Sequence, residues 1–510
     1  MMNRNLIVFI LYSLFWFAFL GYTGTLNSGY HFIDDHHVIA INESIGEKGF
    51  INTAETYLNE DLKVRFRPLY RLYMVALSHL YGMNFFAWSV HSCILAILSS
   101  YFLFLFIRRQ GHTYLSAFLF PLLTLIGAQM SIWWRFGPAE TIGFVCLSSS
   151  LYFLANSIYR RRYYQIIISI LFLVMATLSK ESFVLFIPAY LSIFLWFKFQ
   201  CNANKSILNL IQQNLLPLIS LILLLILELF IIKYSIGTNT VGYAGVDSSI
   251  EFINFFNYVF HYFIKSYYFY LIVLGLLILL FNFNSSFRIS FKNEYLSTLT
   301  FNLIILFAII FPQLILYYKS GIGERYLLPF LLGLSLFVYY LFKVIHDSSK
   351  INSLFKKLYL ISIAIVIFML LKKDAYPNAR DFAIEGKATN KLLTAITDNT
   401  QTNDSILVVL SSFENFEFGY SIHEYLKTHR NRNNIYFYKV NLHKDYDFAV
   451  RLDGAFTDIF SNKIVNQIDN NYSCIAIFPF MGNTEVKKKL NNTEFYQNQE
   501  IGPFTLYLKN

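Results

Sequence analysis

The chain is poor in charge. Only 14% of its 510 residues are Asp, Glu, Lys or Arg, against about a quarter in a soluble globular domain. With 56% hydrophobic residues, it carries more apolar material than one aqueous core can hide, and it calls for a lipid solvent. Cysteine is scarce as well: Cys93, Cys146, Cys201 and Cys474 are the whole complement. No two have metal-ligand spacing and the first two lie in apolar runs, so a disulfide framework is not indicated. The sequence has no Gly-rich phosphate loop and no internal repeat. No small-x-small cleavage site follows the apolar run after Arg4, so residues 1–22 are expected to stay as an uncleaved first span. The net charge of +10 falls in short clusters between apolar runs. It lacks the basic tract interleaved with aromatics that nucleic acid recognition uses, so no nucleic acid partner is expected.

What is abundant is apolar length. Runs of about 20 apolar residues cross a bilayer core. About eleven are placed here, near 5–22, 84–107, 113–132, 139–158, 163–179, 183–199, 214–232, 266–283, 299–317, 326–343 and 357–371. The 54 Phe and 37 Tyr read mainly as lipid-facing packing. Segment 67–82 has about 16 residues and carries Arg67, Arg71 and His79, so it reads as an amphipathic helix at the interface and not as a span. With it interfacial, the inner loops hold Arg108-Arg109, Arg160-Arg161-Arg162, Lys198 and Lys205, Arg288 and Lys292, then Lys343, Lys350, Lys356 and Lys357. Every such loop is basic, as the cytoplasmic side demands. A multi-pass protein of a bacterial cytoplasmic membrane is expected, with its polar motifs facing outside.

Those motifs then gather on one side. The first outer loop, 23–83, carries Asp34-Asp35-His36-His37. Later outer turns carry Trp133-Trp134-Arg135-Phe136-Gly137-Pro138-Ala139-Glu140, then Ser179-Lys180-Glu181-Ser182, a long loop over 233–265, and Lys319-Ser320-Gly321-Ile322-Gly323-Glu324-Arg325-Tyr326. Past residue 372 the apolar runs shorten. Segments 406–410, 434–440 and 474–480 read as buried strands, and 381–398 and 416–430 as helices. Alternation of this kind predicts a small α/β domain. The expected architecture is a polytopic α-helical membrane domain over 1–372 and an extracytoplasmic α/β domain over 373–510.

Each motif has a plain reading beside a chemical one. Adjacent carboxylates at Asp34 and Asp35 suit a hydrated turn, or a general base that takes a proton from an acceptor hydroxyl. His36 and His37 are candidate ligands of a divalent metal, although neighbours on a strand point apart; a role in positioning a carboxylate is the simpler reading, and no other cofactor is indicated. Arg135 and Glu140 bracket a Gly-Pro turn, as a snorkelling arginine or as cavity-facing groups. Lys180 and Glu181 fill a turn with almost no loop, so both charges sit near the membrane boundary, where ionisable groups pair or face a cavity. Arg325 follows two glycines and either starts a span or grips a lipid phosphate.

In their order and on one common side, these pieces resemble the GT-C glycosyltransferases, polytopic enzymes that use polyprenyl-phosphate sugars. The similarity runs over roughly 5–345 and is greatest to the branch with the protein O-mannosyltransferases and aminoarabinose transferases. It rests on Phe32-Ile33-Asp34-Asp35, on Arg67-Pro68-Leu69 opening a helix that ends Leu80-Tyr81-Gly82-Met83-Asn84, on Ser179-Lys180-Glu181, and on Glu324-Arg325-Tyr326-Leu327-Leu328-Pro329. The resemblance implies Asp34 as catalytic base, with Asp35 assisting where many relatives have Glu. It implies Lys180 and Arg325 as ligands of the donor phosphate, with Arg67, Arg135, Glu140, Glu181, Glu324 and Tyr326 lining the substrate site. The acceptor would be an extracytoplasmic glycan, lipid or protein. Two other readings stand beside it: a polymerase or ligase taking a pyrophosphate-linked donor, and a lipid or solute transporter, which would place ionisable residues near mid-membrane; His91, Gln129, Glu228 and Gln313 fall instead in the outer parts of their spans, which favours an outward-opening cavity.

Overall fold

The computed structural model describes residues 4–162, 164–201, 207–236, 252–281, 296–317, 324–349, 351–412, 414–440, 447–469, 471–481, 483–491 and 496–509. Lys205, Arg288, Lys292, Lys319 to Gly323, Lys350 and residues 237–251 of the 233–265 loop therefore lie outside the described residues, as does the Glu324 side chain. The described chain divides into two compact units. One holds Met1–Phe19, Thr56–Tyr73 and His91–Asn378; the other holds Leu20–Glu55, Met74–Val90 and Ala379–Asn510.

The first unit is helical and built for lipid. Eight helices among the described residues are long and apolar enough to cross a membrane: Arg4–Thr23, Phe85–Arg109, Ala139–Tyr159, Glu181–Cys201, Leu215–Tyr234, Leu299–Leu316, Arg325–Asp347 and the stretch that opens Ser353–Asp398. Val259–Lys265 and Tyr267–Phe281 form a pair bent by 72°, and Tyr114–Leu125 and Tyr164–Thr177 are shorter apolar helices. Together they occupy the eleven expected positions in order. Leu216, Ile167, Leu280 and Phe281 are exposed large apolar side chains on these helices, a surface that suits hydrocarbon and not water. The protein is a multi-pass membrane protein. Pro68–Tyr81 has 14 residues, about 21 Å of helix, too short for a core of about 30 Å.

Two local features set the turns at this end of the spans. The apolar run at 113–132 is not one helix. It breaks at Gly127, whose φ of 135° excludes ordinary side chains, and resumes as a tight turn over Ala128–Trp133. The Gln129 amide donates to the freed carbonyls of Thr124 at 2.9 Å and Ile126 at 2.8 Å, which is what a broken helix in a dry setting needs. Gly143, one turn into Ala139–Tyr159, lies against the Phe183 ring so closely that a Cβ there would come within 2.3 Å of it. Small residues let helix backbones approach in this way. Ala139–Tyr159 is also tied to Tyr164–Thr177, where Ser150 Oγ donates to the Ser169 carbonyl at 2.8 Å and Ser169 Oγ to the Ser150 carbonyl at 2.6 Å.

The second unit carries a five-stranded sheet: β1 Ile406–Ser411, β2 Ile435–Val440, β3 Cys474–Ile477, β4 Tyr496–Ile501 and β5 Phe504–Lys509, in the order β2-β1-β3-β5-β4. The first three strands are parallel and the last two run antiparallel. Every residue of β1 is buried, as expected of a central parallel strand covered on both faces. One face packs Val408 and Leu410 with Leu392, Ile396, Ile422 and Leu426 of the helices, and takes in Tyr30, Phe32 and Ile39 from the first loop. The other packs Leu407 and Val409 with Ile475, Tyr496 and Tyr507. Sequence patterning located β1, β2 and β3; the closing hairpin was not expected. Its two-residue turn, Gly502-Pro503, has Gly502 at φ 60°, and glycine in that first central position is the type II′ signature. Helices His36–Lys48 and Phe50–Leu62 were also not expected in the first loop.

Candidate functional site

In the first unit several charged turns meet around 177–182. The Lys180 ammonium is paired with the Glu140 carboxylate, and both side chains are nearly buried. Its Nζ also lies 4.8 Å from the centre of the Tyr326 ring and 5.9 Å from that of Tyr317, and the two rings pack 4.7 Å apart. Arg325 Nη2 donates to the Tyr326 hydroxyl at 3.4 Å, and Arg325 lies within electrostatic range of Glu140. Two cations thus share one carboxylate among aromatic faces. A lysine has three N–H donors, so Glu140 does not exhaust Lys180.

The turn itself is held from four sides. Glu228 accepts from Thr177 Oγ1 at 2.6 Å. Gln313 Nε2 donates to the Ser182 carbonyl at 2.7 Å. Glu181 accepts the Phe66 backbone N–H at 2.9 Å, and the Leu178 carbonyl accepts the Leu69 N–H at 3.0 Å. The last two satisfy donors at the start of Pro68–Tyr81 that have no partner within their own helix. Arg67 is engaged at the same corner: its Nε donates to Asp61 at 3.3 Å, while Arg71 Nε donates to Asp61 at 2.8 Å. Asp61 therefore clamps two arginines. Arg135 follows the Ala128–Trp133 turn, and its carbonyl accepts from Ser92 at 3.5 Å.

In the second unit, Asp34 stands in the left-handed region at φ 66°. That conformation costs an ordinary residue about 1 kcal/mol or more, and Asp is among the few that tolerate it. The turn delivers the chain into His36–Lys48, with the Asp34 carbonyl accepting the His37 N–H at 3.2 Å. Asp35 follows it in the turn. It is buried, and its carboxylate accepts the His31 backbone N–H at 2.8 Å. Burial pushes its carboxyl up to about 6, against the lowering effect of His31. His31 stacks on Phe382 with ring centres 3.7 Å apart. His36 Nδ1 bonds the Ser421 hydroxyl at 2.8 Å, and burial, aided by His37, pushes its imidazole down to about 3. His36 and His37 begin a helix and not a strand, with rings 4.3 Å apart. Among the described residues, no group of three or more His, Cys, Asp or Glu is placed to hold a metal.

No protein-family model matches the chain. No curated protein matches it either. Among solved structures it is similar to the crystal structure of ArnT from Cupriavidus metallidurans in the apo state, over 98% of this chain and 97% of that one, at 12% identity and a TM-score of 0.45.

Of the residues singled out by sequence, Glu140, Lys180, Arg325 and Tyr326 come together, with Glu181 one residue away holding the turn. Arg67 is bound to Asp61, which sequence reasoning passed over because a lone aspartate in a polar loop carries no signal. Tyr317 was missed for the opposite reason, as one of 37 tyrosines. Glu228 and Gln313, expected in the outer parts of their spans, fasten the 177–182 turn.

Proposed function

We propose that the protein is a membrane glycosyltransferase of the GT-C type, moving a sugar from a polyprenyl-phosphate donor to an acceptor on the non-cytoplasmic face with inversion. The observation that carries this reading is the Lys180–Glu140 pair with Arg325 and two tyrosine rings at the ends of apolar spans. A cation-rich, aromatic-walled cluster at the membrane boundary suits a phosphate whose lipid tail stays in hydrocarbon. Lys180 and Arg325 would stabilise negative charge as the polyprenyl phosphate leaves; preorganised charge of this kind is commonly the largest catalytic contribution. Glu140 holds Lys180 in place. The acceptor hydroxyl would lose its proton to Asp34, whose strained turn is the kind of outlier found at functional sites. Asp35, buried and tied to His31, supports that turn and assists from behind it. The anchoring of Glu228 and Gln313 favours a fixed site over a transport path.

The test uses membranes containing matched amounts of wild type, Asp34→Asn and Lys180→Gln, with labelled polyprenyl-monophosphate sugars. Asparagine also tolerates the left-handed region, so Asp34→Asn removes the carboxylate and keeps the turn. Turnover is expected to collapse in Asp34→Asn with donor binding retained. In Lys180→Gln it is expected to fall about a hundredfold, the usual cost of one donor to developing charge. Donor consumption by Asp34→Asn equal to wild type would remove Asp34 from the mechanism.

A further inference from the structure

The spans of the first unit enclose a second polar feature at their other ends. A cavity of about 270 Å³ lies between Phe85–Arg109, Glu181–Cys201, Leu299–Leu316 and Arg325–Asp347. Arg325 and Lys343 belong to the same helix, about 27 Å apart along its axis, so this cavity is remote from the Lys180 cluster. Its deep wall is apolar and aromatic, with Ile193, Trp196, Phe197 and Leu336; its rim is polar, with Gln110 and Lys343. The Gln110 side-chain amide is buried with no hydrogen-bond partner. A buried donor left so is costly unless something accepts from it. Lys343 gives one of its three donors to the Gln110 carbonyl. Arg108 and Arg109 precede Gln110 directly, while Lys356 reaches the His346 carbonyl at 2.7 Å. Asp347 is the one acidic residue on the cavity wall among the described residues. Lys343 thus supplies the cation of the rim, with Arg108, Arg109 and Lys356 on neighbouring turns outside the lining, over an apolar wall.

We propose that this cavity binds the phosphate headgroup of an anionic membrane lipid, with Lys343 and the Gln110 amide on the phosphate oxygens and a lipid chain along Ile193, Trp196 and Leu336. A volume of about 270 Å³ holds roughly nine water-sized groups, enough for a phosphate and the first carbons of a chain. A soluble phosphate would leave the aromatic wall wet, so the tail is part of the recognition. The chemistry is shared by a bilayer phospholipid and by a polyprenyl phosphate, and the experiment separates them.

Purified full-length protein in neutral detergent is titrated with phosphatidylglycerol, undecaprenyl phosphate or phosphatidylcholine, and bound lipid is counted by native mass spectrometry. The variants are Lys343→Gln, Lys343→Arg and Leu336→Trp, the last filling the cavity without touching a charge. Affinity for anionic lipid is expected to fall about tenfold in Lys343→Gln, as for a lost charged hydrogen bond, to fall also in Leu336→Trp, and to hold in Lys343→Arg. Phosphatidylcholine should bind weakly throughout. The tighter of the two anionic lipids names the source. Unchanged anionic binding in Lys343→Gln, or phosphatidylcholine binding as tight as phosphatidylglycerol, overturns the proposal. Should Lys343→Gln elute as unfolded protein, Leu336→Trp decides by itself: undiminished binding there overturns it too.

Discussion

Asp35 and His36 are neighbours whose burial drives their titrations in opposite directions, and this gives a sharp pH test of the first-loop turn. The Asp35 carboxyl moves from 3.8 to about 6. At about 1.4 kcal/mol per pH unit, this corresponds to about 3 kcal/mol. Folded Asp35 holds its proton more tightly than unfolded Asp35, so its contribution favours the fold at low pH and is lost as pH rises from about 4 to about 6. His36 moves from 6.5 to about 3, worth about 5 kcal/mol on the same scale. Its contribution is full above pH 6.5 and is lost as pH falls towards 3. Between pH 4 and 6 the two slopes nearly cancel. The wild-type turn should therefore open with nearly constant free energy over that range. Asp35→Asn keeps an acceptor for the His31 N–H and removes one slope, so opening should become easier by about 1.4 kcal/mol for each unit below pH 6.5. His36→Asn keeps a partner for Ser421 and removes the other, so the turn should become harder to open from pH 6 to 4. Hydrogen–deuterium exchange of peptides covering residues 30–42, corrected for intrinsic rates at pH 4.5, 5.5 and 6.5, reads these slopes. A flat profile in either variant, or a steep one in wild type, would refute the reasoning.

Three further outcomes follow from the packing of the outer turns. Lys180→Met leaves Glu140 buried without its paired lysine, with only the more distant Arg325 to offset it, and should destabilise the protein by about 3 kcal/mol; adding Glu140→Gln should recover most of that, read as the midpoint of thermal unfolding in detergent. Gly143→Val should push Phe183 away from Ala139–Tyr159 and move Lys180 off Glu140; donor turnover should fall far more than expression or elution profile. Asp61→Asn leaves Arg67 and Arg71 without their shared carboxylate. Limited proteolysis should then cut near residues 61–67 faster than in wild type, and equal rates would show that the clamp is not what holds that corner.

Much of this architecture is written in apolar length and the placement of basic residues, because a bilayer leaves a backbone few ways to satisfy itself. The eleven runs and the three parallel strands follow from that kind of signal. The breaks do not: Gly127 ends a helix inside an apolar run because Gln129 can serve the freed carbonyls, and that is a tertiary fact. The hairpin at Gly502 was passed over because its first strand, Tyr496–Ile501, is mostly polar and exposed. At the candidate site, Lys180 and Glu140 stood out as charges in short turns, yet nothing in their separation of 40 residues announces that they pair. Asp35 and Asp34 look alike in sequence, and backbone geometry tells them apart: one is buried on His31, and the other is strained in a left-handed turn.

The central claim is that a sugar leaves a lipid phosphate here, and one measurement reaches it directly. Purified wild-type protein in liposomes is given each labelled polyprenyl-monophosphate sugar together with an envelope extract as the acceptor source. Sugar label and free polyprenyl phosphate are then counted together. The account expects one donor to lose its sugar to a water-soluble or acceptor-bound product, with polyprenyl phosphate appearing in equal amount. Intact donor crossing from one leaflet to the other, with no polyprenyl phosphate released, would contradict it and make the protein a lipid transporter.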